Sequence, residues 1–443
     1  MMGFSEFQLG LLGFPALLIL IFLRVPVAAA LFVVGLVGTY IVEGNARLMD
    51  SQLKTFAYGQ FTSYSLSIIP LFLLMSEFAT RGGMSRNLFV AANAWLGHRK
   101  GGLAMAAVGA SAGFGAVCGS SLATASSMGK VALPELERAG YSGALSTGAL
   151  AAGGTLGILI PPSVVLVVYS ILAEQNIEKL FIAAFIPGLI AMLGYMITIA
   201  IYARVAPDSA TEGPRVPYAE RFRALRSVWP VLLIFTVVIG GIYTGAFSPT
   251  AAAAVGVMGT AIIALANRAL NWPALRDSLL ATGRTSGMIF FIVVGASVFN
   301  SFLSSAQVPQ TMAEIFRSTD MNPWLILTGM LLLYLILGTV MDSLAMIFLT
   351  VPIFIPIVTQ LDFGLTPEEV GIWFGILVLM AAEVGLITPP VGLNLFVINA
   401  MSKNVAIGQT YKGILPFVAS DIVRIIGLAA FPAISLWLVR LMS

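Results

Sequence analysis

The sequence predicts an all-α polytopic membrane protein built from two inverted repeats, each with a re-entrant hairpin and a helix broken at a Pro-Pro pair. Three observations predict it. Hydrophobic residues make up 58% of the 443-residue chain and charged residues only 10%, against roughly 25% charged in a soluble domain. Mean hydropathy is +0.97. The stretches "LGILIPPSVVL" (Leu156–Leu166) and "VGLITPPVGLN" (Val384–Asn394) each set adjacent prolines inside an apolar run, where proline removes a helical hydrogen bond and clashes with the preceding turn.

Composition excludes several classes of function. A net charge of +3 over this length does not point to nucleic acid. One cysteine, Cys118, and one histidine, His98, rule out an internal disulfide and a His/Cys metal cluster. No nucleophile–base pair of an enzyme stands out, and His98 sits in a basic loop.

The elements follow in order. A helix needs about 20 apolar residues to cross the hydrocarbon core, so the chain has room for on the order of a dozen crossings. Two come first, Phe7–Leu23 and Val27–Val42, joined by "LRVPV". The first lacks a basic n-region and a small-residue cleavage site, so it is expected to be retained. A polar loop with Glu43, Arg47, Asp50 and Lys54 leads to the run Leu66–Ala79. Leu88, Ala91, Ala92, Trp95 and Leu96 then recur at helical spacing, which predicts an amphipathic helix in the membrane interface.

Residues 103–136 are small and weakly polar, with arms of about 15 residues on each side of "GSS", too short for full crossings. They predict a hairpin that enters and leaves on one side, since non-helical backbone at membrane depth survives only inside protein or beside a watery cavity. Gly143–Leu172, interrupted at Pro161 and Pro162, and Leu180–Arg204 follow. Residues 204–227 are predicted as an Arg-rich loop, then come crossings at Val228–Tyr243 and Pro249–Ala266, and a second basic loop with Arg268, Arg276 and Arg284. A crossing at Met288–Leu303 and an amphipathic link precede a second hairpin, Trp324–Leu337, "GTVMDS" and Leu344–Val358. The last runs are Val370–Ala400, interrupted at Pro389 and Pro390, and Tyr411–Arg440.

Short basic loops face the cytoplasm. With 204–227 inside, Arg24, His98–Lys100, Arg268, Arg276 and Lys403 fall inside as well, while Asp320, Asp362, Glu368 and Glu369 fall outside. The first hairpin then opens inward and the second outward, with both termini outside.

The halves repeat. A shift of 228 carries Gly157, Pro161, Pro162 and Asn176 onto Gly385, Pro389, Pro390 and Asn404; upstream, "GAVCGSS" at Gly115–Ser121 resembles "GTVMDS" at Gly338–Ser343. One Pro-Pro pair alone would be a kink. Two at matched positions beside matched hairpins match the design of secondary transporters, whose broken helices meet at a mid-membrane site. The domain organisation expected is scaffold helices in 1–80, an interfacial arm in 81–102, and the first half of a transport domain in 103–176. Scaffold helices and cytoplasmic loops then fill 177–286, a link and arm 287–322, the second transport half 323–405, and a last scaffold helix 406–443.

At the breaks, freed carbonyls lie beside hydroxyls (Ser120, Ser121, Ser163, Ser343, Thr388) and one carboxylate, Asp342. Such oxygens suit a weakly held alkali cation, and half-helix N-termini suit an anionic substrate. A carboxylate at membrane depth marks a functional site by default; were the hairpin misplaced, Asp342 would be an exposed loop acid. For Glu383, a hydrogen bond to released backbone is preferred over a ligand role, and for Lys130, snorkelling to the cytoplasmic face. Asn394 offers a donor and an acceptor just after the second break, with Gly392 beside it.

"GFGAVCGSSLATASSMGKVALPELERAGYSGALSTGALAAGGTLGILIPPSVVLVVYSI" (Gly113–Ile171), "GTVMDSLAMIFLTVPIFIPIV" and "EVGLITPPVGLNLFVIN" resemble hallmark segments of the large membrane subunit of tripartite ATP-independent periplasmic (TRAP) transporters, the DctM-like family. The resemblance covers essentially the whole chain. It implies an elevator fold of the divalent-anion:sodium symporter type in a bacterial inner membrane. It implies import of an organic acid such as a C4-dicarboxylate or sialic acid, with Na+ as coupling ion and no resident cofactor. The expected partners are a separate small four-helix membrane subunit, a periplasmic binding protein and the surrounding membrane lipid. Carried over, one sodium site uses Gly119, Ser120 and Ser121 with Gly157 and Pro161, and the other Gly338, Asp342 and Ser343 with Thr388 and Pro389. The substrate is expected at Ser120, Ser121, Ser163, Gly392 and Asn394. The competing reading is a stand-alone symporter or antiporter of the same architecture.

Overall fold

The computed structural model describes residues 5–45, 47, 54, 58–59, 62, 64–318, 321–402 and 405–442. Asp50, Asp320, Lys403 and Asn404, used in the loop and repeat arguments, lie outside them. Among the described residues the ordered secondary structure is helical throughout.

The helices are α1 (Glu6–Phe22), α2 (Val27–Glu43), α3 (Ile68–Arg81), α4 (Met84–Leu96), α5 (Gly102–Cys118), α6 (Ser121–Arg138) and α7 (Gly143–Leu159). Next are α8 (Val164–Leu172), α9 (Ile177–Val205), α10 (Tyr218–Arg226), α11 (Trp229–Tyr243), α12 (Pro249–Ala266), α13 (Trp272–Ser305) and α14 (Val308–Ser318). The last are α15 (Pro323–Gly338), α16 (Ser343–Val358), α17 (Pro367–Leu386), α18 (Leu393–Met401), α19 (Ile407–Ala430) and α20 (Ala433–Met442). Five of them, α9, α12, α13, α17 and α19, are each long and apolar enough to cross a membrane. The pair α7 and α8 makes a broken span bent by 47°.

The two segments read as hairpins each form a helix–tip–helix unit whose arms meet again at the end away from the tip. In the first, α5 and α6, the Tyr141 hydroxyl beyond the returning arm accepts from Leu103 N at the start of the outgoing arm, 3.2 Å away. In the second, α15 and α16, Trp324 at the start packs edge-on against Phe363 beyond the end, with ring centroids 5.2 Å apart.

Helix α9 relates the two hairpins. Its 29 residues make a rod of about 43 Å. At its N-terminal end Lys179 pairs with Glu368 at 2.6 Å, in the first turn of α17 ahead of Trp373, which packs edge-on against Trp324 and Phe363 at the open end of the second hairpin. Past its C-terminal end, Thr211 O accepts from Tyr141 at the open end of the first hairpin. The two hairpins thus open at opposite ends of α9, and the Arg-rich segment and the Glu368–Glu369 pair occupy those opposite ends.

Helices α2 and α13 form a tight pair. A Cβ on Gly35 would lie 2.7 Å from Phe299 N, and one on Gly295 would lie 2.5 Å from Ala28 O, so the two backbones touch with no side chain between them.

Three boundaries differ from the sequence reading. The Arg-rich segment contains a helix, α10, because Arg221 leaves solvent: its guanidinium sits 4.9 Å from the Tyr218 ring centroid and 5.9 Å from that of Trp95. Of the second basic loop only Arg268 stays in a turn; Arg276 and Arg284 belong to the first half of α13, a continuous 34-residue helix capped by Asn271 with Pro273 in its first turn. Arg276 and Arg284 are exposed on it, and no helix breaker stands between them and the apolar run. The last run is split at Phe431 and Pro432, where proline has no N–H to continue α19.

Candidate functional site

The tips of the hairpins are built as caps. Gly119 ends α5 in the left-handed region (φ 64°), and Ser120 in extended conformation caps α6, its Oγ accepting from Ala123 N. In the second hairpin Asp342 is the corresponding cap, its carboxylate accepting from Ala345 N at 3.4 Å. Asp342 is half-buried, so it is not a freely exposed loop acid. The breaks end in caps too: Ser163, fully buried, caps α8 through Leu166 N, and Gly392 starts α18 with φ 67°. Both Pro-Pro bonds are cis.

Each tip docks on its own break. Val164 N donates to Gly119 O, and Gly392 N donates to Thr339 O, both at 3.4 Å; Val164 and Gly392 are 228 positions apart, the shift that aligns the two halves. Glycine makes the approach possible. A Cβ on Gly157 would lie 2.5 Å from Ser120 O, and one on Gly338 2.8 Å from Gly385 Cα. The structure thus brings Gly119, Ser120 and Ser121 to Gly157 and the Pro161–Pro162 turn, and Gly338, Asp342 and Ser343 to the start of the second break. Thr388 spends its hydroxyl on Val384 O of the preceding turn, 2.6 Å away, leaving its oxygen lone pairs as the group it can still offer. Pro389 lies half-buried beside it.

The two tips also meet each other, through a residue for which the sequence suggested a different partner. Glu383 is 1% exposed. It accepts at Oε1 from the Ser343 hydroxyl at 2.8 Å, rather than bonding released backbone, and Ser121 of the other tip faces the same carboxylate. The first residues of α6 and α16 therefore share one acid. With Val164 of α8 held to the first tip and Gly392, just before α18, held to the second, each tip stands beside the N-terminus of the helix that follows its break, and helix N-termini carry partial positive charge that favours an anion.

Among the described residues three polar groups at this site are buried without a hydrogen-bond partner, Thr124 Oγ1 beside Gly157 being the first. Glu383 Oε2 is the second, and the third is the whole amide of Asn394, 0% exposed, with neither Oδ1 nor Nδ2 hydrogen-bonded. Asn394 reaches across to the first half: a Cβ on Gly154 would lie 3.3 Å from its Nδ2. Buried polar atoms are nearly always paired, so these point to a ligand, ion or water.

Sequence reasoning missed a second polar cluster. The Tyr195 hydroxyl donates to Asp421 Oδ2 at 2.9 Å and lies 2.9 Å from Thr155 Oγ1, while Asp421 pairs with Arg424, both nearly inaccessible. The signal was available: an acid and a base three positions apart in an apolar helix place both charges on one face.

The family described as the tripartite ATP-independent periplasmic transporter, DctM component, matches residues 14–434. The chain is 41% identical over 374 residues to the C4-dicarboxylate TRAP transporter large permease protein DctM of Pseudomonas aeruginosa, covering 84% of this chain and 86% of that one. It is 31% identical over 430 residues to the ectoine TRAP transporter large permease protein TeaC of Halomonas elongata, covering 97% and 96%. Among solved structures it resembles the YdaH transporter of Alcanivorax borkumensis with a TM-score of 0.59 at 15% identity, covering 86% and 88%, a likeness of fold alone. With a family match spanning nearly the whole chain, this protein belongs to the DctM component family, the large permease subunits of TRAP transporters.

Proposed function

We propose that the chain carries an organic acid into the cell across the bacterial inner membrane, driven by sodium entry, with the site around Glu383 holding ion and substrate. The observation that carries the reading is the convergence of two capped tips and two Pro-Pro breaks on one buried acid. Carbonyls, hydroxyls and Asp342 supply hard oxygen ligands for sodium, at one site around Gly119–Ser121 and another around Gly338, Asp342 and Ser343. The helix N-termini at the tips and breaks and the unpaired amide of Asn394 supply recognition of a carboxylate. A C4-dicarboxylate is the substrate favoured by the 41% identical relative.

Hairpins opening at opposite ends of α9 support an inverted repeat, and with it an elevator motion of the broken helices between two faces of the membrane. The cargo arrives from a periplasmic binding protein, and a separate small four-helix subunit accompanies the permease. Uptake of labelled C4-dicarboxylate into proteoliposomes tests this. Uptake that requires an inward sodium gradient, the small subunit and the binding protein is the expected result. Equal uptake by the permease alone would favour a stand-alone symporter, and uptake indifferent to sodium would remove the coupling ion.

A further inference from the structure

We propose that the cleft between α4 and α6 binds an anionic phospholipid from the leaflet at the Arg-rich end of the molecule. The cleft has a volume of about 540 Å³. From α4 it presents Arg86 and Val90 on one helical face with Phe89 beside them, and from α6 Lys130 and Pro134 on one face with Val131 beside them.

Its charge is unbalanced. Glu135, the only acid in the lining, pairs with Arg138 at 2.7 Å. Among the described residues Arg86 and Lys130 have no acidic partner within ion-pair distance, and both are exposed where they line the same cleft. Two cations without a counter-charge, one a guanidinium fork suited to phosphate oxygens and one a mobile ammonium, describe a phosphodiester site.

The other walls decide which phosphate. Phe89, Val90, Val131 and Pro134 are apolar, and Val90 is 49% exposed. A free phosphate or small dicarboxylate would leave that surface uncovered, whereas a glycerophospholipid covers it with its glycerol and first acyl methylenes. The location agrees. Both ends of α4 touch the basic loops: Gly82 O accepts from Asn267, next to Arg268, and Gly97 O accepts from Gly213 in the Arg-rich segment. Helix α4 therefore lies along that face, where basic pockets between helices bind acidic headgroups.

Native mass spectrometry of the purified full-length chain, titrated with phosphatidylglycerol or with phosphatidylcholine of the same acyl chains, tests the site. Wild type should retain one phosphatidylglycerol with occupancy on the order of tenfold above phosphatidylcholine. The double variant Arg86→Gln/Lys130→Gln should lose that preference, and Arg86→Lys/Lys130→Arg should keep it. Equal retention of the two lipids by wild type, or an unchanged preference in the glutamine variant, overturns the proposal. So does displacement of the lipid by millimolar inorganic phosphate or C4-dicarboxylate, which would make the cleft a soluble-anion site. Should the glutamine variant not fold, the headgroup comparison on wild type decides alone.

Discussion

Gly115 lies so close to Gly157 that a Cβ added to it would sit 2.7 Å from the Gly157 Cα. The pair recurs in the second half, where a Cβ on Gly385 would sit 2.5 Å from the Gly338 Cα. In each case the outgoing arm of a hairpin rests backbone to backbone on the helix about to break. Gly115→Ala or Gly385→Ala should push the tip off its break, costing about 1–3 kcal/mol. A lower unfolding temperature together with loss of uptake is expected; wild-type values for both would show that the contact does not position the tip.

Glu383 should separate charge from hydrogen bonding. Glu383→Gln keeps an acceptor for the Ser343 hydroxyl, so folding stability is expected to hold. Glu383→Ala leaves that hydroxyl buried and unpaired, costing about 1–3 kcal/mol. Denaturant titration of both variants checks the difference, and equal stability would mean that the bond is not structural.

Asp342 combines two duties that substitution can divide. Asparagine caps helices as well as aspartate does, while alanine costs about 0.5–2 kcal/mol at such a position. Asp342→Asn should therefore unfold like wild type yet need at least about tenfold more sodium for half-maximal uptake. Full uptake by Asp342→Ala at low sodium would remove this residue from the ion site.

Asn394 is buried with an unused amide, so the protein gains little stability from its polarity. Asn394→Leu is expected to match or exceed wild type in unfolding temperature while transport falls at least about tenfold. A large loss of stability with transport intact would make the residue purely structural.

The Asp421–Arg424 pair should behave as a unit. Removing one partner strands a buried charge and costs about 3–5 kcal/mol, whereas replacing both with apolar residues costs far less. A double-mutant cycle with Asp421→Leu and Arg424→Met, followed by thermal unfolding, measures the coupling. Additive effects would show that the charges do not pair in the folded state.

Much of the site was legible because proline and glycine act through the backbone. Single prolines such as Pro134 and Pro187 lie inside helices, but the doublets at 161–162 and 389–390 remove two successive hydrogen bonds and end theirs, and Gly119 and Gly392 take φ values near +65°, so the breaks could be read from the sequence. What the sequence hid depended on partners brought from a distance. Glu383 meets Ser343 across 40 positions and Tyr195 meets Asp421 across 226, and no local pattern encodes either choice. Hydropathy also misread α13, because it reports where a helix is apolar and not where it starts. Arg276 and Arg284 lowered the average without interrupting the helix.

The contact of α2 with α13 has a mechanical meaning. Where Gly35 and Gly295 let main chain press on main chain, there is no layer of rotatable side chains to yield, and a slip of even part of a turn would drive atoms together. At 34 residues, α13 runs about 51 Å, well past the roughly 30 Å of a bilayer's hydrocarbon. The pair is a keel: long, incompressible and fixed in register, the part of the chain against which any other displacement can be gauged.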